Sequence, residues 1–264
     1  VIDKNVYGPW AVIAGGSEGV GASFARLLAE AGFNLVLIAR KPGPLDETAA
    51  KVRATGVEVR TVQLDLLDPD ALRTLRAVTD ELEVGLLIYN AGANSYGHEF
   101  VTGDLDRFRD VIDLNITAQL ALVHHFGALM RERGRGGVLL VGSLAGYLGQ
   151  PQISVYSAVK AFCRIFAEGL WQELGEHGVH VLELVLGITR TPAMERAGLR
   201  MDLPGLNIAD PDDVAREGLE HLADGPVWVA GGNHAATVKR SGPARAELVR
   251  GAYEATRRLV PPPS

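Results

Sequence analysis

Cysteine is almost absent from these 264 residues. Cys163 stands alone, which excludes an internal disulfide and a cluster of thiolate metal ligands and fits a reducing compartment, the cytoplasm by default. Runs of Lys or Arg are missing as well. With 26 Lys and Arg against 32 Asp and Glu, the net charge is −6 and the isoelectric point about 5.7. No field, global or local, therefore draws in a phosphate backbone, and nucleic acid is not expected as a partner. No stretch approaches ~20 uninterrupted apolar residues, and the opening VIDKNVYGPW has no apolar signal core. The expectation is a chain that neither spans a membrane nor follows a secretory route. Internal repeats and long linkers are also lacking.

What is present is the balance of a globular protein: 47% hydrophobic residues and 22% charged ones, enough to bury a sizeable interior. A chain of this length fits one α/β domain, expected over 1–258, followed by a Pro-rich tail at 259–264 whose three prolines stop the preceding helix. Short runs of Val, Ile and Leu recur at 10–14, 33–39, 57–64, 85–89, 137–142, 179–186 and 226–230, separated by segments of helical period at 20–31, 44–54, 69–80, 104–132, 154–175 and 211–223. Several runs are apolar throughout, as strands covered on both faces must be. The alternation predicts a doubly wound, seven-stranded parallel sheet with helices on both faces. Ligands then meet it at the carboxyl ends of the strands.

Between the first strand and the first long helix lies AGGSEGVG, with Gly15, Gly19 and Gly21 spaced G-x-x-x-G-x-G. Such a turn lets the backbone approach a pyrophosphate, and the helix behind it offers unpaired N–H groups and a positive dipole end. Taken alone, the glycines fit a purely structural turn equally well. Asp65, closing the third strand, suits either a clamp on an adenine edge or a cap on the next turn. Tyr156 and Lys160 fall four apart on a helical segment, so both emerge from one face. Ser143 sits just past the fifth strand, at the rim that a ligand on the glycine turn would reach. Asn115 lies inside the long helix at 104–132, where an Asn is costly enough to ask for a reason.

In these residues the sequence resembles the short-chain dehydrogenase/reductase family in its single-domain form, which implies a Rossmann-type sheet and an NAD(P)(H)-dependent oxidoreductase. AGGSEGVG resembles the family's cofactor loop, with Ala14 where Thr is usual, and YNAGA is similar to its N-A-G motif through Asn90, Ala91 and Gly92. Asn115, Ser143, Tyr156 and Lys160 match its four catalytic positions in order and separation. VLGITRTP resembles the segment that closes over the nicotinamide, with Gly187 and Thr191 matching and Leu186 in place of the customary proline. The resemblance implies cofactor contacts from Ser17, Val20, Leu66 and Thr189 as well, beside Tyr156, Lys160 and the residues of those motifs, and it implies a homo-oligomer, tetramer or dimer, packed through 104–132 and 154–175.

The chemistry agrees with what these side chains do unaided. Carbonyl reduction builds negative charge on oxygen, which must meet a hydrogen bond and then a proton. Tyr156 is expected to supply the proton. A free phenol titrates near 10 and relays protons poorly near neutrality unless a cation favours the phenolate, and Lys160 provides one. Ser143 orients the carbonyl, and the family match gives Asn115 a water on the path toward Lys160. Two competing classes are a dinucleotide-binding sensor or scaffold without chemistry, which has no need of all three of Ser143, Tyr156 and Lys160, and a methyltransferase, which leaves their register unexplained. His124 and His125 are adjacent on a helix and face different ways, so no metal site is expected. Cys163 is expected to be a small core residue.

Cofactor choice turns on LVLIARKPG. An NAD-preferring site ends its second strand with an acid, but Ala39 stands there and Arg40 and Lys41 follow. A guanidinium grips phosphate through paired, charge-assisted hydrogen bonds, which favours NADP(H) over NAD(H). Glu18 pulls the other way, because NADP(H)-binding relatives often carry a basic residue at its place. The substrate pocket is expected to draw on Tyr96, Leu144, Tyr147, Leu148, Met194, Leu199, Met201 and Leu203, an apolar lining suited to a small apolar ketone or alcohol. A ligand-ordered lid is expected over roughly 192–206.

Overall fold

The computed structural model describes residues 2–92, 94–196, 201 and 205–256. In chain order they form α1 (Lys4–Tyr7), β1 (Trp10–Ala14), α2 (Gly19–Glu30), β2 (Asn34–Ala39), α3 (Pro42–Arg53), β3 (Val59–Gln63), α4 (Ala71–Thr79) and β4 (Val84–Tyr89). Next come α5 (Leu105–Ile112), a π-helical segment (Asp113–Thr117), α6 (Ala118–Arg133), β5 (Gly136–Ser143), a 3₁₀ turn (Leu144–Tyr147), α7 (Ser154–Gly175) and β6 (Val179–Leu186). The last part holds β7 (Ile188–Thr189), α8 (Pro192–Arg196), β8 (Ile208–Ala209), α9 (Pro211–Glu220), a second 3₁₀ turn (Leu222–Asp224), β9 (Val227–Val229), α10 (His234–Arg240) and α11 (Arg245–Thr256).

Seven strands build one sheet in the order β3-β2-β1-β4-β5-β6-β9, every pair parallel. The order reverses between β1 and β4, and that crevice is where such sheets take ligands. Strand periodicity sorts the side chains. Ile13, Leu37, Leu139 and Leu182 pack against Phe24, Leu28, Leu45 and Val214 on the side of α2, α3 and α9. Val12, Ile38, Leu140 and Val181 pack against Leu75, Phe126, Cys163 and Ala167 on the side of α4, α6 and α7. Each fully buried aliphatic or aromatic side chain contributes roughly 1.5–3 kcal/mol, so both faces of the sheet are held by burial.

The expected long helix over 104–132 is interrupted. Asn115 Nδ2 donates to Val111 O at 2.9 Å, the acceptor that its own backbone N–H takes in an α-helix, and Ala118 N reaches back five residues to Asp113 O. The side chain competes for the ladder and the turn widens. Asp104 caps α5 by accepting from Asp106 N at 2.9 Å, and α9 stops at Glu220 before its 3₁₀ turn. Two strand ends differ from expectation: Ser143 is the last residue of β5, and Asp65 lies two residues beyond the end of β3. The short α1, α8 and α10 and the pair β7–β8 were not anticipated, while α11 is the helix expected ahead of the Pro-rich tail. The tail at 259–264 lies outside the described residues.

Candidate active site

Gly15 adopts φ +82° and Gly19 φ +54°, left-handed values that favour glycine. Gly15 N donates to Ile38 O at 2.9 Å, Ala91 N to Ala14 O at 2.8 Å, and Asn90 Nδ2 to Gly15 O at 2.9 Å, so β2 and the β4 loop pin the turn from two sides. Helix α2 then starts with no side-chain cap and no acid in its first turn. Its orphan N–H groups and dipole are left for an anion.

A cleft of about 360 Å³ opens at the carboxyl ends of β1 to β6. Gly15, Ser17, Gly19 and Val20 line it, together with Arg40 and Lys41 after β2, Asp65 and Leu66 after β3, and Asn90, Ala91 and Gly92 after β4. Ser143, Tyr156 and Lys160 line its inner part, and Gly187, Thr189 and Thr191 its far wall. Two expected site residues sit behind it. Gly21 is buried in α2 with no room for a Cβ against Gly15 O. Asn115 is 2% exposed and abuts Gly92 so closely that a Cβ there has no space.

Within the cleft, Lys160 is buried; its Nζ donates to Val141 O at 2.9 Å and lies 5.7 Å from the centre of the Tyr156 ring. Ser143 Oγ accepts from Ala145 N at 3.1 Å, which leaves its proton free to donate. Asn115 Oδ1 is buried without a partner, an acceptor in want of a donor such as a water. The bare start of α2 and Arg40 with Lys41 in the same cleft fit a phosphate-bearing dinucleotide. Arg40 Nη1 also stands 3.8 Å from Asp65 Oδ2, with both side chains well exposed, and solvent makes such a pair weak.

Some features escaped sequence reasoning. Arg196 of α8 pairs with Glu18 of the glycine turn. Glu183 stands in the middle of β6, 1% exposed, with Oε2 unpartnered; burial pushes its carboxyl up to about 8 while Lys160 and Arg164 pull it back. Its signal was a lone acid in the apolar run VHVLELVL. The substrate end also differs from expectation. Met194 lines the cleft, whereas Leu144 and Leu148 are buried in the protein. Tyr147 lies under the Arg164 guanidinium at 4.3 Å, and Tyr96 packs edge-on to Phe108 at 4.9 Å. Leu199 and Leu203 lie outside the described residues, as do all of 197–200 and 202–204 in the expected lid. Arg240 Nη1 donates to Leu144 O at 2.8 Å and Arg245 Nη2 to Tyr147 O at 3.2 Å, so the last two helices hold the turn that follows Ser143.

Cys163 is 1% exposed, and burial pushes its thiol up to about 12. His125 Nε2 lies 3.7 Å from Asp80 Oδ1, and burial holds the ring below the usual histidine range. Among the described residues no group of three or more His, Cys, Asp and Glu is placed to hold a metal ion, and no helix is long and apolar enough to cross a membrane.

Comparison with known proteins agrees with this geometry. Residues 9–201 match the family model for short chain dehydrogenase. A 7beta-hydroxysteroid dehydrogenase of Clostridium sardiniense is 30% identical over 229 residues, which cover 86% of this chain and 87% of that protein. A structure that gave insights into 7beta-hydroxysteroid dehydrogenase stereoselectivity superposes with a TM-score of 0.86 at 28% identity, over 95% of this chain and 99% of the other. A short-chain dehydrogenase from Sphingobium yanoikuyae in complex with NADPH superposes with a TM-score of 0.78 at 30% identity, over 97% and 98% of the two chains. The chain belongs to the short-chain dehydrogenase family and is an NAD(P)(H)-dependent oxidoreductase.

Proposed function

We propose that the protein interconverts an apolar ketone and its secondary alcohol, with NADP(H) preferred over NAD(H), and that Tyr156 is the general acid and base. The observation that carries this is one cleft lined by the glycine turn, Arg40, Lys41, Ser143, Tyr156 and Lys160. The nicotinamide, when bound, gives or takes the hydride. Tyr156 donates its phenolic proton to the carbonyl oxygen, and Ser143 donates a hydrogen bond to the same atom. Lys160 supplies the cation that favours the phenolate, and Asn115 Oδ1 holds the water through which the proton is restored. Gly15, Ser17, Gly19 and Val20 seat the pyrophosphate at the start of α2, with Gly21 packing the turn behind them. Asn90, Ala91 and Gly92 border the ribose, Asp65 and Leu66 the adenine, and Gly187, Thr189 and Thr191 the nicotinamide.

The apolar substrate class rests on Leu186, Ala193 and Met194 in the cleft wall and on the relative that acts as a 7beta-hydroxysteroid dehydrogenase. Its setting is the cytoplasm, as a homo-oligomer whose α6 and α7 pack against a second copy; Leu120, Ile165 and Trp171 on them are exposed. Sedimentation at micromolar concentration showing only monomer would overturn the oligomer.

The deciding experiment follows loss of reduced nicotinamide with a panel of carbonyl compounds, oxosteroids and aryl ketones among them, and the reverse reaction on the matching alcohols. Turnover with bulky apolar ketones is expected. Tight NADPH binding with no turnover of any compound would point to a sensor instead. Arg40→Ala is expected to raise KM for NADPH about tenfold, in line with the loss of a hydrogen bond to a charged group, and to change KM for NADH far less. Equal losses would sink the NADP(H) preference.

A further inference from the structure

Glu18 is the one residue of the cofactor turn whose charge opposes the NADP(H) preference, and the structure gives its carboxylate a partner. Arg196 Nη1 donates to Glu18 Oε2 at 3.0 Å, and Arg196 Nη2 donates to Oε1. The two residues are 178 apart in sequence and meet in the fork-to-fork geometry that fixes both planes. A helix N-cap is ordinarily a short side chain, Ser, Thr, Asp or Asn, that accepts from the N–H groups of its own helix. Glu18 is the N-cap of α2 and makes no such bond. Its carboxylate is turned to α8, whose start is seated closely on the turn: Thr191 Cγ2, just before α8, lies 3.0 Å from where a Cβ on Gly19 would be, and Pro192 Cδ 3.8 Å.

The turn that carries Glu18 is tied to the part of the cleft that carries Arg40 and Lys41. Gly15 N and Gly16 N donate to Ile38 O at 2.9 and 3.2 Å, and Thr48 Oγ1 of α3 donates to Ser17 O at 2.8 Å. The glycine turn is thereby bonded to the end of β2 and to α3, the stretch that carries Arg40 and Lys41. Glu18, Arg40, Lys41, Asp65 and Arg196 all line the same cleft. With Glu18 paired to Arg196, Arg40 and Lys41 stand against Asp65 alone, which leaves one net positive charge at Arg40 and Lys41 to meet a phosphate.

We propose that Arg196 is a specificity-determining residue for the cofactor: by neutralising Glu18 it lets the cleft accept a 2′-phosphate that the free carboxylate would repel. The inference rests on the NADP(H) preference proposed above and explains how an acid in the turn is compatible with it. A pair that merely anchored α8 would affect NADPH and NADH alike, because they differ only in that phosphate.

The test measures dissociation constants of NADPH and NADH by titration calorimetry for the parent, Glu18→Gln, Arg196→Ala and the double variant. Arg196→Ala is expected to weaken NADPH by about tenfold more than NADH, the scale of one uncompensated charge near a dianion in a partly screened site. Glu18→Gln should bind NADPH at least as tightly as the parent. The double variant should regain parental NADPH affinity to within about threefold, since no carboxylate then needs neutralising. The inference falls if Arg196→Ala costs nothing, if it weakens both cofactors equally, or if the double variant stays as weak as Arg196→Ala. A parent protein that prefers NADH would overturn the NADP(H) preference itself and this inference with it, whereas a parent that prefers NADPH with no rescue overturns the inference alone.

Discussion

Leu182 and Glu183 are neighbours on β6 and face opposite sides of the sheet. Leu182 joins the layer under α2, α3 and α9, where the buried polar side chains of α2 and α3 are the hydroxyls of Ser23 and Thr48 and carry no charge. Glu183 looks toward α7, and the buried Lys160 lies on that side too. The unpartnered polar atoms gather there as well: Asn115 Oδ1, Gln119 Oε1, Ser157 Oγ, Arg164 Nε and Glu183 Oε2. Each such atom is costly to bury. One face of the sheet thus supplies stability with little polar burden, and the other tolerates that burden where the chemistry is proposed to occur.

The contrast is broken most severely at Tyr156. Tyr156→Phe removes one proton donor and keeps the ring, so kcat is expected to fall by about 10²–10⁴, the usual worth of a general acid, with the Tm and the NADPH dissociation constant close to parental. Retention of more than about a tenth of parental kcat would remove Tyr156 from the role, because a general acid is worth far more than that. The opposite signature is expected on the dry face. Leu182→Ala should cost roughly 2–5 kcal/mol in urea unfolding, with kcat per folded molecule unchanged. Full stability in that variant would mean that this layer repacks and that the two faces differ less than their composition implies.

Glu183→Gln sharpens the comparison more gently. The folded protein holds the Glu183 carboxyl proton up to about pH 8, whereas an unfolded chain releases it near the ordinary value of 4.5. The stability linked to this group is therefore present below that ordinary value and is lost as pH rises through about 8. The slope reaches ~1.4 kcal/mol per pH unit at most. Urea unfolding at pH values across that window should show a flatter dependence for the Gln variant than for the parent. Identical slopes would mean that Glu183 is not held protonated.

The seven strands were legible because each is a dense β-branched and aliphatic run, and β6 over Val179–Leu186 has the expected bounds. The inner site was legible because Ser143, Tyr156 and Lys160 are fixed by local spacing on β5 and α7. What escaped depends on partners far away in sequence. Helix α10 is short, and α10 and α11 are held in place by Arg240 and Arg245 reaching carbonyls nearly a hundred residues earlier. Arg196 gains its meaning only from Glu18. The pocket lining was misjudged at Leu144 and Leu148 because a loop's apolar residues were assigned to substrate, when the protein interior had first claim on them.

The widened turn at Asp113–Thr117 carries a lesson about how such a site is built. One residue more than an α-helix needs advances the helix phase by about 100°, so the apolar stripe of α5 and that of α6 belong to two different registers. Deleting Leu114 from the segment is expected to merge them into one straight rod, close the ladder at Val111 O, and rotate Asn115 away from Gly92. A single-codon deletion separates this chain from a version with the same fold and an ordinary helix at Asn115, where the proton path is proposed to begin.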